Sequence, residues 1–213
     1  MSVEEKVTTL PASQTLTPCE RREICATLID ANIQSGFASE LHMSEAEYDR
    51  SFKQAVEDVM RAPFRPNGQL IALVETRIPF VRQLELRGID LDPAIFYGVE
   101  LPKKDPYAVF LKVISTKEAP FAQGANYAEA VQSLPGDLRP ASPLEGINAD
   151  VQKILAQSFV ILPGGEYKMP PNILTSGSRS RSLCLERYFD RPRISQISFA
   201  EQDLSVGMLA ARN

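Results

Sequence analysis

The sequence predicts an α+β fold: an N-terminal helical hairpin packed on a mixed, largely antiparallel sheet with a C-terminal β-meander. Three observations predict it. Two capping signatures open helical-period segments in the first third of the chain, and one central run is apolar on both faces. The last third alternates apolar and polar residues between turn signals. Residues 1–16 read as a flexible tail and 17–213 as a single domain, with the hairpin over 17–61 and a sheet-containing body over 62–213.

The hairpin follows from local chemistry. Thr17 can cap, Pro18 suits a first helical position, and Glu20 can return a bond to the cap. Ile24, Cys25, Leu28, Ile29 and Ile33 then recur at helical spacing until Gly36 stops the helix. Ser44 and Glu47 repeat the capping pair, and Tyr48, Phe52, Ala55, Val56 and Val59 mark one face of a return helix ending near Arg61. Residues 1–62 carry six basic against eleven acidic side chains, a net −5.

Pro63 and Pro66-Asn67-Gly68 break the pattern, and strand character starts at Leu70 to Val74. Ile78, Phe80, Leu84 and Leu86 alternate, with Arg82 as the exception, and read as a half-buried strand. Residues 88–106, rich in Pro, Asp and Gly, read as a long connection. Tyr107 to Ile114 is apolar on both faces and predicts an interior strand. Asn126 with Glu129 predicts a short helix halted by Pro135-Gly136. Ser142-Pro143-Leu144-Glu145 repeats the signature of residues 17–20 and opens another helix, with Val151, Ile154 and Leu155 as its stripe. Phe159 to Leu162 returns to strand, closed by a turn at Pro163-Gly164-Gly165. The meander strands are Leu183 to Tyr188, Ile194 to Phe199 and Leu204 to Ala210, with turns at Asp190-Arg191-Pro192 and Glu201-Gln202-Asp203.

Composition excludes several classes. An apolar fraction of 44% with 23% charged residues belongs to packed globular chains. A net charge of −4 and a pI of about 5.2 give no global field toward nucleic acid or an anionic membrane. No run of apolar residues is long enough to insert in a membrane. Glu4 and Glu5, with no apolar core beside them, do not make a signal peptide. Cys19, Cys25 and Cys184 form no C-x-x-C pair, which argues against a disulfide framework or a zinc knuckle and suits a reducing cytoplasm.

Four pieces of the chain carry a resemblance. They are the hairpin loop ahead of Met43-Ser44-Glu45-Ala46-Glu47-Tyr48, and Gly98-Val99-Glu100-Leu101-Pro102 leading into Pro106-Tyr107-Ala108-Val109-Phe110-Leu111. The others are the Ser142-Pro143-Leu144-Glu145 cap followed by Gly146, and Gly177-Ser178-Arg179 ahead of a strand. Over residues 27–185 this order resembles a bacterial family of chains of similar length, a domain of unknown function. Members of that family end in Trp- and Gly-rich strands, whereas this chain has no Trp. The resemblance implies a fold relation and no activity.

Candidate sites are few. His42, the only histidine, sits in the hairpin loop beside Glu40, Glu45 and Asp49; without a second strong ligand or an orienting partner it reads as a solvated loop residue. Cys184 lies in an alternating strand with no histidine to activate it and reads as packing. Glu75, Asp90, Asp92, Glu100 and Asp105 could converge as paired acids, yet nothing in their spacing requires it. The most specific local feature is Gly177-Ser178-Arg179-Ser180-Arg181-Ser182. Its small residues can turn backbone N–H groups toward an anion, and Arg179 and Arg181, with Ser178 beside them, can grip a phosphate or carboxylate on an anionic ligand or an acidic partner. Residues 176–193 hold five arginines against Glu186 and Asp190, a local +3. No catalytic residue, cofactor or metal site is expected. The expectation is a non-catalytic protein that binds or helps assemble another macromolecule, another protein before nucleic acid. The alternative is an enzyme or small-molecule binder with its anion site at 177–182.

Overall fold

A computed structural model describes residues 17–61, 69–92, 110–112, 127–136, 138–148, 159–168, 180–189, 191–198, 206–208 and 210–212. The first arm of the hairpin is α1 (Pro18–Gln34), followed by one turn, α2 (Phe37–Glu40). Both partners of the first capping box are made: the Glu20 amide donates to Thr17 Oγ1 at 3.2 Å, and the Thr17 amide to Glu20 Oε2 at 2.7 Å. Gly36 ends the arm at φ 87°, a left-handed conformation that costs glycine nothing. The return arm is two helices, α3 (Glu45–Ser51) and α4 (Lys53–Arg61), with Phe52 between them. Ser44 and Glu47 close the second capping box, at 3.3 Å and 2.9 Å.

The two arms run antiparallel. Arg21, in the first turn of α1, donates to the Val59 and Met60 carbonyls at the end of α4, at 3.0 and 3.4 Å. Those carbonyls have no partner inside their own helix, so the arginine ties the start of one arm to the end of the other. Between the arms lie Cys25, Ile29, Phe37, Tyr48, Phe52 and Val59, all buried. Burying an aliphatic or aromatic side chain of this kind is worth about 1.5–3 kcal/mol, which is what holds these short helices in place.

Beyond the hairpin the chain adds two sheets. One has the order β1-β3-β9-β4, built from β1 (Gln69–Ile71), β3 (Phe110–Lys112), β4 (Leu138–Pro140) and β9 (Ala210–Arg212), all antiparallel. The other has the order β2-β7-β6-β5-β8, from β2 (Asp90–Leu91), β5 (Phe159–Lys168), β6 (Ser180–Tyr188), β7 (Arg191–Ser198) and β8 (Val206–Met208). In this second sheet β2–β7 and β5–β8 are parallel and the two central pairings antiparallel. The helices α5 (Phe80–Arg87), α6 (Tyr127–Gln132) and α7 (Pro143–Asn148) complete the described elements. Helix and sheet are thus combined as the sequence indicated, an α+β architecture. β3 pairs with β1 on one side and β9 on the other, the interior position that two apolar faces require.

Several expectations need correcting. The alternating run 78–86 is a helix, α5, from Phe80. Pro79 fixes its entry, Gly88 at φ 63° ends it, and the Ile89 amide donates back to the Leu84 carbonyl at 2.9 Å. Its buried residues are Phe80, Gln83 and Leu84, spaced three and four apart. The alternation counted Leu86 and missed Gln83. Strand pairing at the first apolar run stops at Ile71; Ala72 to Glu75 are buried but irregular. Pro163-Gly164-Gly165 does not end a strand. It lies inside β5, where the register against β6 slips between Leu162 and Tyr167, a site that tolerates a missing donor and missing side chains. The third meander strand is not one strand. Val206–Met208 pairs with β5 in parallel, and Ala210–Arg212 crosses to the other sheet. The tail at 1–16, the Asn126 cap, the 149–158 stripe and the 93–106 connection lie outside the described residues.

Candidate functional site

β6 and β7 form a long hairpin whose last pair is Tyr188 with Arg191, so Phe189 and Asp190 join them. Two-residue connections of this kind favour φ > 0 and therefore Asn, Asp or Gly, because their twist must match the strands. Phe189 occupies the first position at φ 44°, with 85% of its surface exposed. The backbone conformation opposes folding, and the exposure contributes little to it. A left-handed backbone costs an L-residue about 1–2 kcal/mol, and an exposed ring forgoes the gain of burial. Arg191, next to it, is also exposed.

Two of the arginines counted together in the sequence, Arg181 and Arg193, lie apart along the hairpin. Arg181 pairs with Ser198 at the far end of the hairpin from Phe189, seven residues along β6 from Tyr188, or roughly 20 Å at strand spacing. Arg193 faces Glu186 across the strands, its Nε 3.1 Å from Oε1, while its Nη2 donates to Asp92 Oδ2 at 2.9 Å. That pair of acids takes Arg193 out of the free charge and ties β2 to the sheet, where the Asp92 amide also donates to the Ile194 carbonyl at 2.9 Å. Of the expected anion segment, Ser178 and Arg179 lie outside the described residues, and Arg181 is placed by its strand register alone.

A second polar constellation lies between the hairpin and α5, where sequence reasoning saw nothing. Arg87, at the end of α5, donates through Nη2 to Asn32 Oδ1 at 2.6 Å and to Asn148 Oδ1 at 2.8 Å. Its guanidinium carbon lies 4.9 Å from the centroid of the buried Phe37 ring. From there the polarity is forced, because arginine only donates. Asn148 Nδ2 donates to Gln83 Oε1 and to the Leu144 carbonyl, both at 2.9 Å, and Gln83 Nε2 donates to the carbonyls of Glu75 and Ile78, at 2.6 and 2.8 Å. These last bonds satisfy the irregular buried segment after β1. On the other branch Asn32 Nδ2 donates to the Tyr48 hydroxyl at 3.1 Å. Burial first, then the neighbouring Glu75 charge, raises the Tyr48 phenol above its ordinary range. Glu75 is held by Arg77 Nε at 2.8 Å and Nη2 at 2.6 Å. The available signal was Asn32 and Gln83, polar residues on otherwise apolar helix faces; the strand reading of 78–86 hid the second.

The remaining candidates are separate. His42 is exposed in the loop before α3, at φ 55°. Cys184 is buried, as are Leu183 and Leu185 beside it. Glu75 and Asp92 are each committed to a different arginine. Glu100 and Asp105 lie outside the described residues. Glu145 is likewise engaged: Arg139 grips it at 2.6 and 2.8 Å while it closes the third capping box with Ser142. Among the described residues no group of three or more His, Cys, Asp or Glu side chains could hold a metal, and no helix is long and apolar enough to cross a membrane. No family model, curated protein or solved structure matches the chain.

Proposed function

We propose that this is a non-catalytic protein that binds or helps assemble another macromolecule through its surface, with the tip of the β6–β7 hairpin as the contact. Phe189 carries the reading. A ring that is 85% exposed at the end of a two-stranded support suits an anchor inserted into a partner's pocket. Arg191 beside it favours a partner whose pocket has an acidic rim. With a net charge of −4 on the chain, another protein fits better than nucleic acid or a membrane. Three thiols without a disulfide suit a reducing cytoplasm. The support for an anion- or partner-gripping role of Ser178, Arg179 and Arg181 is the sequence alone.

The test is retention of a stoichiometric partner from the native cell by the tagged chain. Phe189→Ser and Arg191→Glu should each lose the partner, and Arg179→Ala with Arg181→Ala should keep it. Retention by both tip variants, with loss in the double variant, would move the contact to residues 177–182.

A further inference from the structure

We infer that Arg87 is a receptor for an oxyanion, a carboxylate or phosphate group that meets its Nη1 from solvent. Arg139 and Arg193 are partly buried, Arg77 more exposed, and each closes on a carboxylate at 2.6–2.9 Å. Arg87 is partly buried too, yet it closes on two amide oxygens, and among the described residues no carboxylate reaches it. Amide oxygens satisfy hydrogen bonds without cancelling charge, so a desolvated cation is left uncompensated. Burial lowers the guanidinium pKa to about 10, which still leaves it charged at neutral pH.

The geometry defines where the missing charge would come from. Phe37 covers one face of the guanidinium, Asn32 and Asn148 occupy Nη2, and Nε is buried without a partner. Nη1 is what remains: two N–H donors on one nitrogen that make no hydrogen bond among the described residues and are not among the buried atoms left without a partner. Asn32 and Asn148 are themselves buried and fixed by Tyr48, Gln83 and the Leu144 carbonyl, so the guanidinium is oriented before anything binds. A fixed, partly desolvated donor loses little freedom on binding and meets its anion in a low dielectric, where a charge-assisted bond is strongest.

Carboxylate and phosphate share this chemistry, and the experiment separates them. The parent chain is titrated with sodium acetate and, separately, sodium phosphate, with chloride holding the ionic strength constant. Arginine side-chain nitrogen resonances and thermal unfolding are followed together. The expected result is a saturable shift of the Arg87 resonances with one anion or both, together with a rise in Tm. In Arg87→Gln the affinity should fall by at least about tenfold, the loss of one charge-assisted bond. In Asn32→Asp, which puts an internal carboxylate against Nη2, the response should be lost although the arginine remains. Arg179→Ala with Arg181→Ala should titrate as the parent does. No saturable shift of the Arg87 resonances in the parent would overturn the proposal, and that measurement does not depend on any variant folding. So would a response kept in Arg87→Gln and lost in the double variant, because the anion would then be held by Arg179 and Arg181.

Discussion

Removing Arg77 should cost far more than neutralising the carboxylate it serves. Glu75 has 1% of its side chain exposed and Arg77 39%, so the two partners differ in what each becomes when left alone. In Arg77→Ala, Glu75 loses the donors at 2.8 and 2.6 Å and keeps the backbone N–H of residue 77, at 2.8 Å in the parent. A charge stranded by loss of its buried partner costs about 3–5 kcal/mol, and the half-exposed position of Arg77 argues for the lower end, because water can enter where the side chain stood. Loss of the guanidinium from over the Tyr48 and Phe52 rings, at 5.5 and 5.8 Å, adds about 0.5–1 kcal/mol. We therefore expect about 3–4 kcal/mol for Arg77→Ala. Glu75→Gln keeps the shape and an acceptor, and frees Arg77 to water, for about 1–2 kcal/mol. The double variant should be more stable than Arg77→Ala alone, since the stranded charge is gone. Urea unfolding with unchanged m-values reads all three. If Arg77→Ala cost less than Glu75→Gln, the view of Glu75 as a desolvated charge held by one arginine would be wrong.

Four further outcomes follow from the same physics. Phe52→Ala removes a buried ring whose centroid is 5.2 Å from that of Tyr48, and should cost about 3–5 kcal/mol in urea unfolding; under about 1 kcal/mol would place Phe52 outside the core. Of the three thiols, exposed Cys19 should react rapidly with a thiol reagent at neutral pH, while Cys25, pushed up to about 11 by burial, and buried Cys184 should react only on unfolding. Because the folded Cys25 pKa is raised from 9.0, its contribution to stability is complete below pH 9 and is lost as pH rises through about 11, a loss absent from Cys25→Ala. Glu20 and Glu47, each held by its capping residue, and Glu40, held by Arg82, keep their pKa values below the ordinary 4.5. Folded carboxyls that release protons more easily stabilise above pH 4.5 and lose that contribution as pH falls through their lowered values, so Ser44→Ala should flatten the acid limb of stability against pH.

What could be read from the sequence was local. Thr17 with Glu20, Ser44 with Glu47 and Ser142 with Glu145 are capping pairs whose geometry follows from spacing alone, and all three form. The apolar stripe of α1 is as legible, because a helix turns the same residues inward whatever they meet. Reading failed where a partner distant in sequence decides. Residues 78–86 satisfy a strand period and nearly a helix period, and the choice falls to Pro79, Gly88 and the burial of Gln83 against Asn148. Residues 204–212 look like one strand until the chain divides them between two sheets. The +3 of residues 176–193 was a sum along the chain. Along the hairpin Arg181 and Arg193 lie apart, and Asp92, distant in sequence, binds Arg193.

Phe189→Asn sets the stability of the free chain against binding at the hairpin tip. Asparagine accepts φ 44° with little penalty, so the isolated chain should gain about 1 kcal/mol, or roughly 2–4 °C in Tm, while losing the ring. Both quantities are read on one preparation, thermal unfolding of the free chain and retention of its partner. A variant at least as stable as the parent that no longer retains the partner is the predicted result. A variant destabilised by 1 kcal/mol or more that retains its partner undiminished would show that the ring serves the fold and that the contact lies elsewhere.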